Sequence, residues 1–198
     1  FTPAPDELSA DQKAHVIGGE CTIWSEHAPQ PEVDYKVFPR LCSFSECVWT
    51  SKENKNYGDF TARLEAHYKR LDSLGVDHYT PASTAATWAQ GKIGPDTSDI
   101  EFDVTGSITR PGHYCFTVRQ DSGKGSVEIL GMLLQENGVQ IAQDNHRGGS
   151  GARNENQNYR FDVTKLKSGA KYSLKAAMRT DGGTDSKGTI LVHYFTLQ

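Results

Sequence analysis

The chain has little that would mark a membrane, nucleic-acid or metal protein. No apolar run approaches the roughly 20 residues of a membrane-spanning helix. There is no block of lysine and arginine, and the formal net charge is −4, which argues against nucleic acid as the main partner. The four cysteines, Cys21, Cys42, Cys47 and Cys115, show no zinc-type spacing. A structural disulfide is one reading, and the favoured one is small, buried apolar side chains; neither identifies the compartment. His15 and His27 are isolated, so no metal constellation is expected. There are no internal repeats and no low-complexity tracts. A secretory leader is missing too: the opening FTPAPDELSADQK is polar and starts without Met, so the chain is expected to begin inside a longer sequence.

What is present has ordinary globular composition, and 198 residues suffice for one large domain or two small ones. The character of the sequence changes near residue 80. Before it the hydrophobic period is helical. Asp6–His15 reads as a short helix with acidic residues at its N-terminal end. Val16–Trp24 reads as one short buried strand, which places Trp24 and Glu26, two residues apart, on a common face at its end. Val33–Trp49 reads as a helix containing Pro39, a kink or the first turn of the helix proper. Asn56–Leu74 is the clearest helix. Asn56 caps it, Phe60, Leu64, Tyr68, Leu71 and Leu74 form one stripe, and Gly75 stops it.

Pro81–Pro95 is rich in Ser, Thr, Ala, Gly and Pro and reads as a surface connector that Trp88 pins to a neighbouring face. From Asp99 the period is two. Ile100, Phe102 and Val104 alternate with acidic residues, and Tyr114, Phe116 and Val118 repeat the pattern. Ser126–Gln135 is followed by Glu136-Asn137-Gly138, a two-residue hairpin signal, and by a return strand with Val139 and Ile141. Further strands run through Tyr159–Val163, Tyr172–Met178 and Thr189–Leu197, the last apolar on both faces and central. Seven or eight short strands make an antiparallel sandwich of jelly-roll or immunoglobulin-like topology over residues 96–198. Residues 1–80 carry one strand and two or three helices whose apolar faces they cannot bury alone. They read as the last unit of a larger α/β domain, joined by a linker over residues 81–95.

Three stretches, VIGGECTIWSE, FPRLCSFSECVW and DFTARLEAHYKRLDSLGV, occur in an order and spacing that resembles the C-terminal end of the catalytic domain of family 20 glycoside hydrolases, the β-N-acetylhexosaminidases. The resemblance covers residues 3–80. It rests on Gly-Gly followed by Trp24-x-Glu26, on Pro39-Arg40 with Glu46 and Trp49 downstream, and on the Phe-x-x-Arg-Leu helix from Phe60. The sandwich resembles accessory domains of bacterial members by architecture only. The resemblance implies a (β/α)8 barrel with Val16–Trp24 as its eighth strand and Arg40–Trp49 in the region of its eighth helix. Trp24 and Glu26 would then stand at the active-site end. It implies that Trp24 packs on the apolar face of a terminal N-acetylhexosamine and that Glu26 accepts from a ring hydroxyl. The chemistry implied is retaining and substrate-assisted, the 2-acetamido oxygen attacking its own anomeric carbon while a Glu protonates the leaving oxygen and the preceding Asp orients the acetamido group.

That Asp-Glu pair and the sugar-clamping Arg are expected upstream of this chain; Asp6-Glu7 reads as helix-start charge. No catalytic residue, metal ligand or cofactor is therefore assigned within the chain, and on its own it is expected to be inactive. Glu46 reads as a structural ion pair with Arg40 or another barrel residue, and Glu20 as pointing towards the helices. Asp144–Asn158 is a long Gly/Asn/Arg loop able to offer glycan donors, or a plain surface loop. Asp181–Gly188 superficially suggests a calcium turn but lacks the regular acidic spacing, and reads as a hairpin turn. The expected partners are glycans ending in N-acetylglucosamine or N-acetylgalactosamine, the missing N-terminal part of the barrel, and a second copy covering Phe60, Leu64 and Leu71. The alternative is a non-catalytic carbohydrate-binding or scaffold module. The resemblance suggests a periplasmic, secreted or lysosomal setting.

Overall fold

A computed structural model of the chain describes residues 4–150 and 157–196. The chain divides into two units, Phe1–Thr80 and Pro81–Gln198.

In the first unit α1 (Ala10–Ala14) is shorter than the expected helix over Asp6–His15. Ser9 sets its start. The Gln12 N–H donates to Ser9 Oγ at 3.2 Å and the Ser9 N–H to Gln12 Oε1 at 2.9 Å, a reciprocal cap that fixes the first turn. Asp6 lies ahead of the helix and ion-pairs with Lys52. The expected helix over Val33–Trp49 is two helices, α2 (Val33–Val37) and α3 (Arg40–Trp49). Pro39 separates them: it has no N–H to donate and it drives the preceding residue out of the helical region, leaving Phe38 extended at ψ 134°. α4 (Tyr57–Ser73) follows the sequence closely. The Asp59 N–H donates to Asn56 Oδ1 at 3.0 Å. At the other end Gly75 adopts φ +70°, and the Val76 N–H returns to the Leu71 carbonyl at 3.0 Å, a glycine-dependent stop. Of the stripe, Leu71 is buried, Phe60, Leu64 and Tyr68 are half-buried and Leu74 is exposed.

Val16–Trp24 corrects an expectation. It runs without turn or bend but forms no strand. A strand exists only with a neighbour to bond, and no strand occurs among the described residues of the first unit. What persists is its packing on the helix that follows. A Cβ added at Gly19 would stand 3.1 Å from Phe44 and 3.4 Å from Val48 of α3, so the bare glycine lets the backbone approach that helix. All the exposed large hydrophobic residues except Val139 and Ile141 lie in this unit.

The second unit is a sandwich of two antiparallel sheets. Its strands are β1 (Ser83–Trp88), β2 (Ser98–Asp103), β3 (Gly112–Ser122), β4 (Val127–Glu136), β5 (Val139–Asp144), β6 (Gly148–Gly149), β7 (Asn158–Val163), β8 (Tyr172–Thr180) and β9 (Lys187–Phe195). One sheet has the order β1-β9-β3-β7 and the other β2-β8-β4-β5, with the short β6 beside β4. Leaving β6 aside, eight strands that interleave in this way are a jelly roll; of the two topologies open from sequence, the structure has this one. β9 is interior, as its apolar pattern suggests, paired to β1 on one side and β3 on the other. Asn137 and Gly138, at φ 52° and 78°, make the two-residue β4–β5 hairpin. Inward residues of both sheets, among them Tyr114, Phe116, Ile129, Met132, Leu134, Leu174 and Ile190, form one core.

Two further expectations are corrected. The connector over 81–95 contains a strand, because Ser83–Trp88 pairs with β9. Trp88 is a core residue, 4% exposed, and its Nε1–H donates to Ser186 Oγ at 3.1 Å. The segment Asp181–Gly188 joins β8 of one sheet to β9 of the other, so it crosses the sandwich rather than closing a hairpin. Its acidic side chains accept backbone amides: Asp181 from Ser126 at 2.7 Å and Asp185 from Lys124 at 3.1 Å. No grouping of three or more metal-ligand side chains occurs among the described residues, and no helix of the model is long and apolar enough to cross a membrane. None of the four cysteines forms a disulfide; Cys115 is buried as expected, Cys42 and Cys47 are half-buried, and Cys21 is exposed.

Candidate active-site edge

Trp24 ends the unbent segment. It is the residue before a 3-10 turn over Ser25–His27, with φ −103° and ψ 126°, so the chain leaves the extended path immediately after the indole. The turn closes through the Ala28 N–H to the Ser25 carbonyl at 3.2 Å. Trp24 is 68% exposed and Glu26 is also exposed. Glu26 remains in solvent, so its carboxyl bears no burial cost. Neither side chain makes a hydrogen bond, ion pair or ring contact among the described residues. An indole face and a carboxyl group are thus both uncommitted, two residues apart.

Behind them the chain folds back. A second 3-10 turn, Gln30–Glu32, closes through the Glu32 N–H to the Pro29 carbonyl at 2.8 Å. Ala28 and Glu32 are buried and, with Leu71, are the only buried residues among those described in the first unit. Glu32 lies 3.3 Å from Lys36 Nζ, one turn along. Sequence reasoning passed over Glu32; its one local signal is the Glu-to-Lys spacing of four.

The other candidates fall elsewhere. Glu46 pairs with Arg63 of α4 through both carboxylate oxygens, at 2.9 and 3.2 Å, rather than with Arg40. Arg63 also holds Asp59 at 2.9 Å, and these bonds keep the Glu46 carboxyl below the usual range. The ion pair ties α3 to α4 across an apolar groove of about 700 Å³ lined by Leu41, Trp49, Phe60 and Leu64. Arg40 instead donates to the carbonyls of Tyr35 and Lys36 at 3.3 and 2.9 Å and stands over the Tyr79 ring at 5.6 Å. Glu20 is exposed; Gly19 is the residue that faces the helix.

In the sandwich, part of the loop Asp144–Asn158 (residues 151–156) lies outside the described residues. Its described beginning is structural. Asp144 accepts from His146 Nδ1 at 2.6 Å and from the Arg160 N–H at 3.1 Å, while the His146 ring stacks on buried Tyr159 at 4.4 Å. In a polar cleft lined by Gln120, Asp121, Ser126 and Ser150, three of these side chains are engaged in internal bonds. Ser150 donates to Gln120 at 2.6 Å, and Asp121 accepts from Thr189 and Arg119 at 2.5 and 2.8 Å.

Comparison with known proteins bears on the first unit. Residues 1–52 match the model of the glycosyl hydrolase family 20 catalytic domain. A β-hexosaminidase of Porphyromonas gingivalis is 35% identical over 82 residues, covering 41% of this chain and 11% of the relative. β-Hexosaminidase 3 of Arabidopsis thaliana is 36% identical over 62 residues, covering 30% and 11%. The human β-hexosaminidase subunit beta is 31% identical over 65 residues, covering 33% and 12%. The chain therefore spans about a tenth of the length of these curated relatives. Residues 1–52 are thus similar to part of the family 20 glycosyl hydrolase catalytic domain, and the relatives matched are β-hexosaminidases.

Proposed function

We propose that this chain is the C-terminal portion of an exo-acting β-N-acetylhexosaminidase, in which the first unit supplies one wall of the sugar pocket and the sandwich serves as a scaffold. The observation that carries this reading is the pair Trp24 and Glu26, exposed and uncommitted at the end of an unbent segment, inside the stretch that matches the catalytic domain. Trp24 offers an apolar surface to the C–H face of a terminal N-acetylglucosamine or N-acetylgalactosamine. Glu26 accepts from a ring hydroxyl in a charge-assisted bond. The sugar's own acetamido oxygen attacks the anomeric carbon, and the acid and the acetamido-orienting carboxylate come from the rest of the barrel. Within this chain no residue protonates the leaving group. The prediction is therefore that the 198-residue chain releases no phenol from an aryl N-acetylglucosaminide; turnover by the chain alone would overturn the assignment.

The scaffold role of the sandwich is favoured over glycan binding because the polar cleft spends its hydroxyl, amide and carboxylate groups on internal bonds. Saturable binding of chito-oligosaccharides that survives Trp24→Ala would reverse that preference.

A further inference from the structure

The first unit buries few of its described residues: Ala28, Glu32 and Leu71. Two of these three sit in the stretch of chain that follows Trp24 and Glu26, and one of them is a carboxylate. A buried Glu is uncommon and costly unless it is paired. Glu32 is 2% exposed and is paired with Lys36, in a unit with few other buried residues among those described. Its surroundings indicate what it does. The chain from Ser25 to Glu32 makes two 3-10 turns, one closed at Ala28 and the other at Glu32 itself. Short 3-10 turns have poor hydrogen-bond geometry and hold weakly by themselves. The first positions Glu26; the second returns the chain inward and puts Glu32 beside Lys36 of α2 at 3.3 Å. The Lys36 side chain is only 17% exposed, so the ion pair is shielded and fixes its geometry more firmly than a surface pair would.

We propose that Glu32 is a positioning residue for the sugar-holding turn: by docking into the unit next to Lys36 it holds the Ser25–Ala28 turn closed and so sets where Trp24 and Glu26 point. The inference rests on the reading of Trp24 and Glu26 as sugar contacts, but its test does not depend on that reading. The test is amide hydrogen exchange and NMR on the full 198-residue chain with Glu32→Ala and Glu32→Gln. In Glu32→Ala the amides of positions 28 and 32 exchange about tenfold faster or more, and the Trp24 indole and Glu26 signals move to random-coil positions. The amides of α4 and of the sandwich keep their protection. Glu32→Gln, which preserves volume and hydrogen-bonding atoms, retains most of the protection at position 28. Unchanged exchange at 28 and 32 in Glu32→Ala overturns the proposal. So does loosening of α4 to the same degree, since that marks Glu32 as general support for the unit. A failure of the sugar-contact reading shows separately, as sugar binding in the assembled enzyme that is indifferent to Trp24→Ala.

Discussion

Trp88→Ala tests the least expected element of the fold, the strand cut from a connector-like sequence. The indole is 4% exposed and belongs to the main core. It lies so close over β9 that a Cβ at Gly188 would stand 2.1 Å from its six-membered ring. Truncating a buried Trp costs about 3–5 kcal/mol. Here the change also leaves the Ser186 hydroxyl, 1% exposed, without the Nε1–H that donates to it. That places the loss towards the upper part of the range, since an unpaired buried hydroxyl costs about 1–3 kcal/mol. With a urea m-value of roughly 1–1.5 kcal/mol/M for a domain of this size, the midpoint falls by about 3–5 M. Far-UV circular dichroism through a urea titration reads it, with near-ultraviolet signals following the aromatic core. A loss below about 1 kcal/mol, the scale of a surface substitution, would show that Ser83–Trp88 lies on the sandwich without being part of it.

Four other outcomes follow from named contacts. Gly138→Ala places a Cβ on a residue at φ 78° and lowers sandwich stability by about 1–2 kcal/mol, measured in the same titration; a neutral result would mean the hairpin tolerates another turn type. Glu136 accepts from Lys167 and from the Tyr172 hydroxyl, and Lys167 first, then Tyr172, hold its carboxyl below the ordinary range. A depressed carboxyl stabilises the fold above its unfolded pKa of about 4, and that contribution disappears as pH falls below it. Glu136→Gln should therefore flatten the acid limb of the stability profile, and an unchanged limb would refute the linkage. Tyr159 is the opposite case: burial, then the nearby Asp144 charge, pushes its phenol well up. Its contribution is complete below the unfolded tyrosine pKa of about 10 and is lost as pH rises beyond it, so phenolate absorbance from Tyr159 should appear only with unfolding, whereas Tyr159→Phe shifts the alkaline limb upward. Gly188→Ala should destabilise even when combined with Trp88→Ala, because its Cβ would also lie 2.4 Å from the Arg119 carbonyl oxygen; full rescue by the double substitution would show that backbone to be free to move.

What was legible in the sequence was local. Asn56, the apolar spacing from Phe60 and Gly75 define α4 within single turns, and Asn137-Gly138 defines a hairpin through two backbone conformations. The alternation of Tyr114, Phe116 and Val118 marks a strand because one face meets a core and the other does not. The jelly-roll order was not legible, because β1 meets β9 and β3 meets β7 across most of the domain and nothing local encodes those pairings. β1 was hidden for a chemical reason. Ser-Thr-Ala-Ala-Thr-Trp has small and hydroxylic side chains that suit a strand lying tightly on another, and the same composition suits a loop. Pro39 was noticed, and its consequence, two helices in place of one, follows from Phe38 as much as from the proline itself.

The site was legible to the extent that its residues act outward. Trp24 and Glu26 stand out because an indole and a carboxylate two residues apart after Gly-Gly serve little local structural purpose, and among the described residues neither side chain makes a hydrogen bond, ion pair or ring contact. Glu32 escaped notice because its role depends on burial, which the string does not display: six positions after Glu26, with Pro29 and Pro31 around it, it looks like one more charge in a polar loop. The same separation explains Val16–Trp24. Its side chains and Gly19 are those of a strand resting on the next helix, and α3 receives it at Phe44 and Val48, but ladder bonds belong to pairs of strands. The segment keeps the packing of a strand on a helix and shows none of the pairing. Ile17 and Trp24, near its two ends, are both exposed, and the pair Trp24 and Glu26 at its C-terminal end is where the proposed sugar contact is tested.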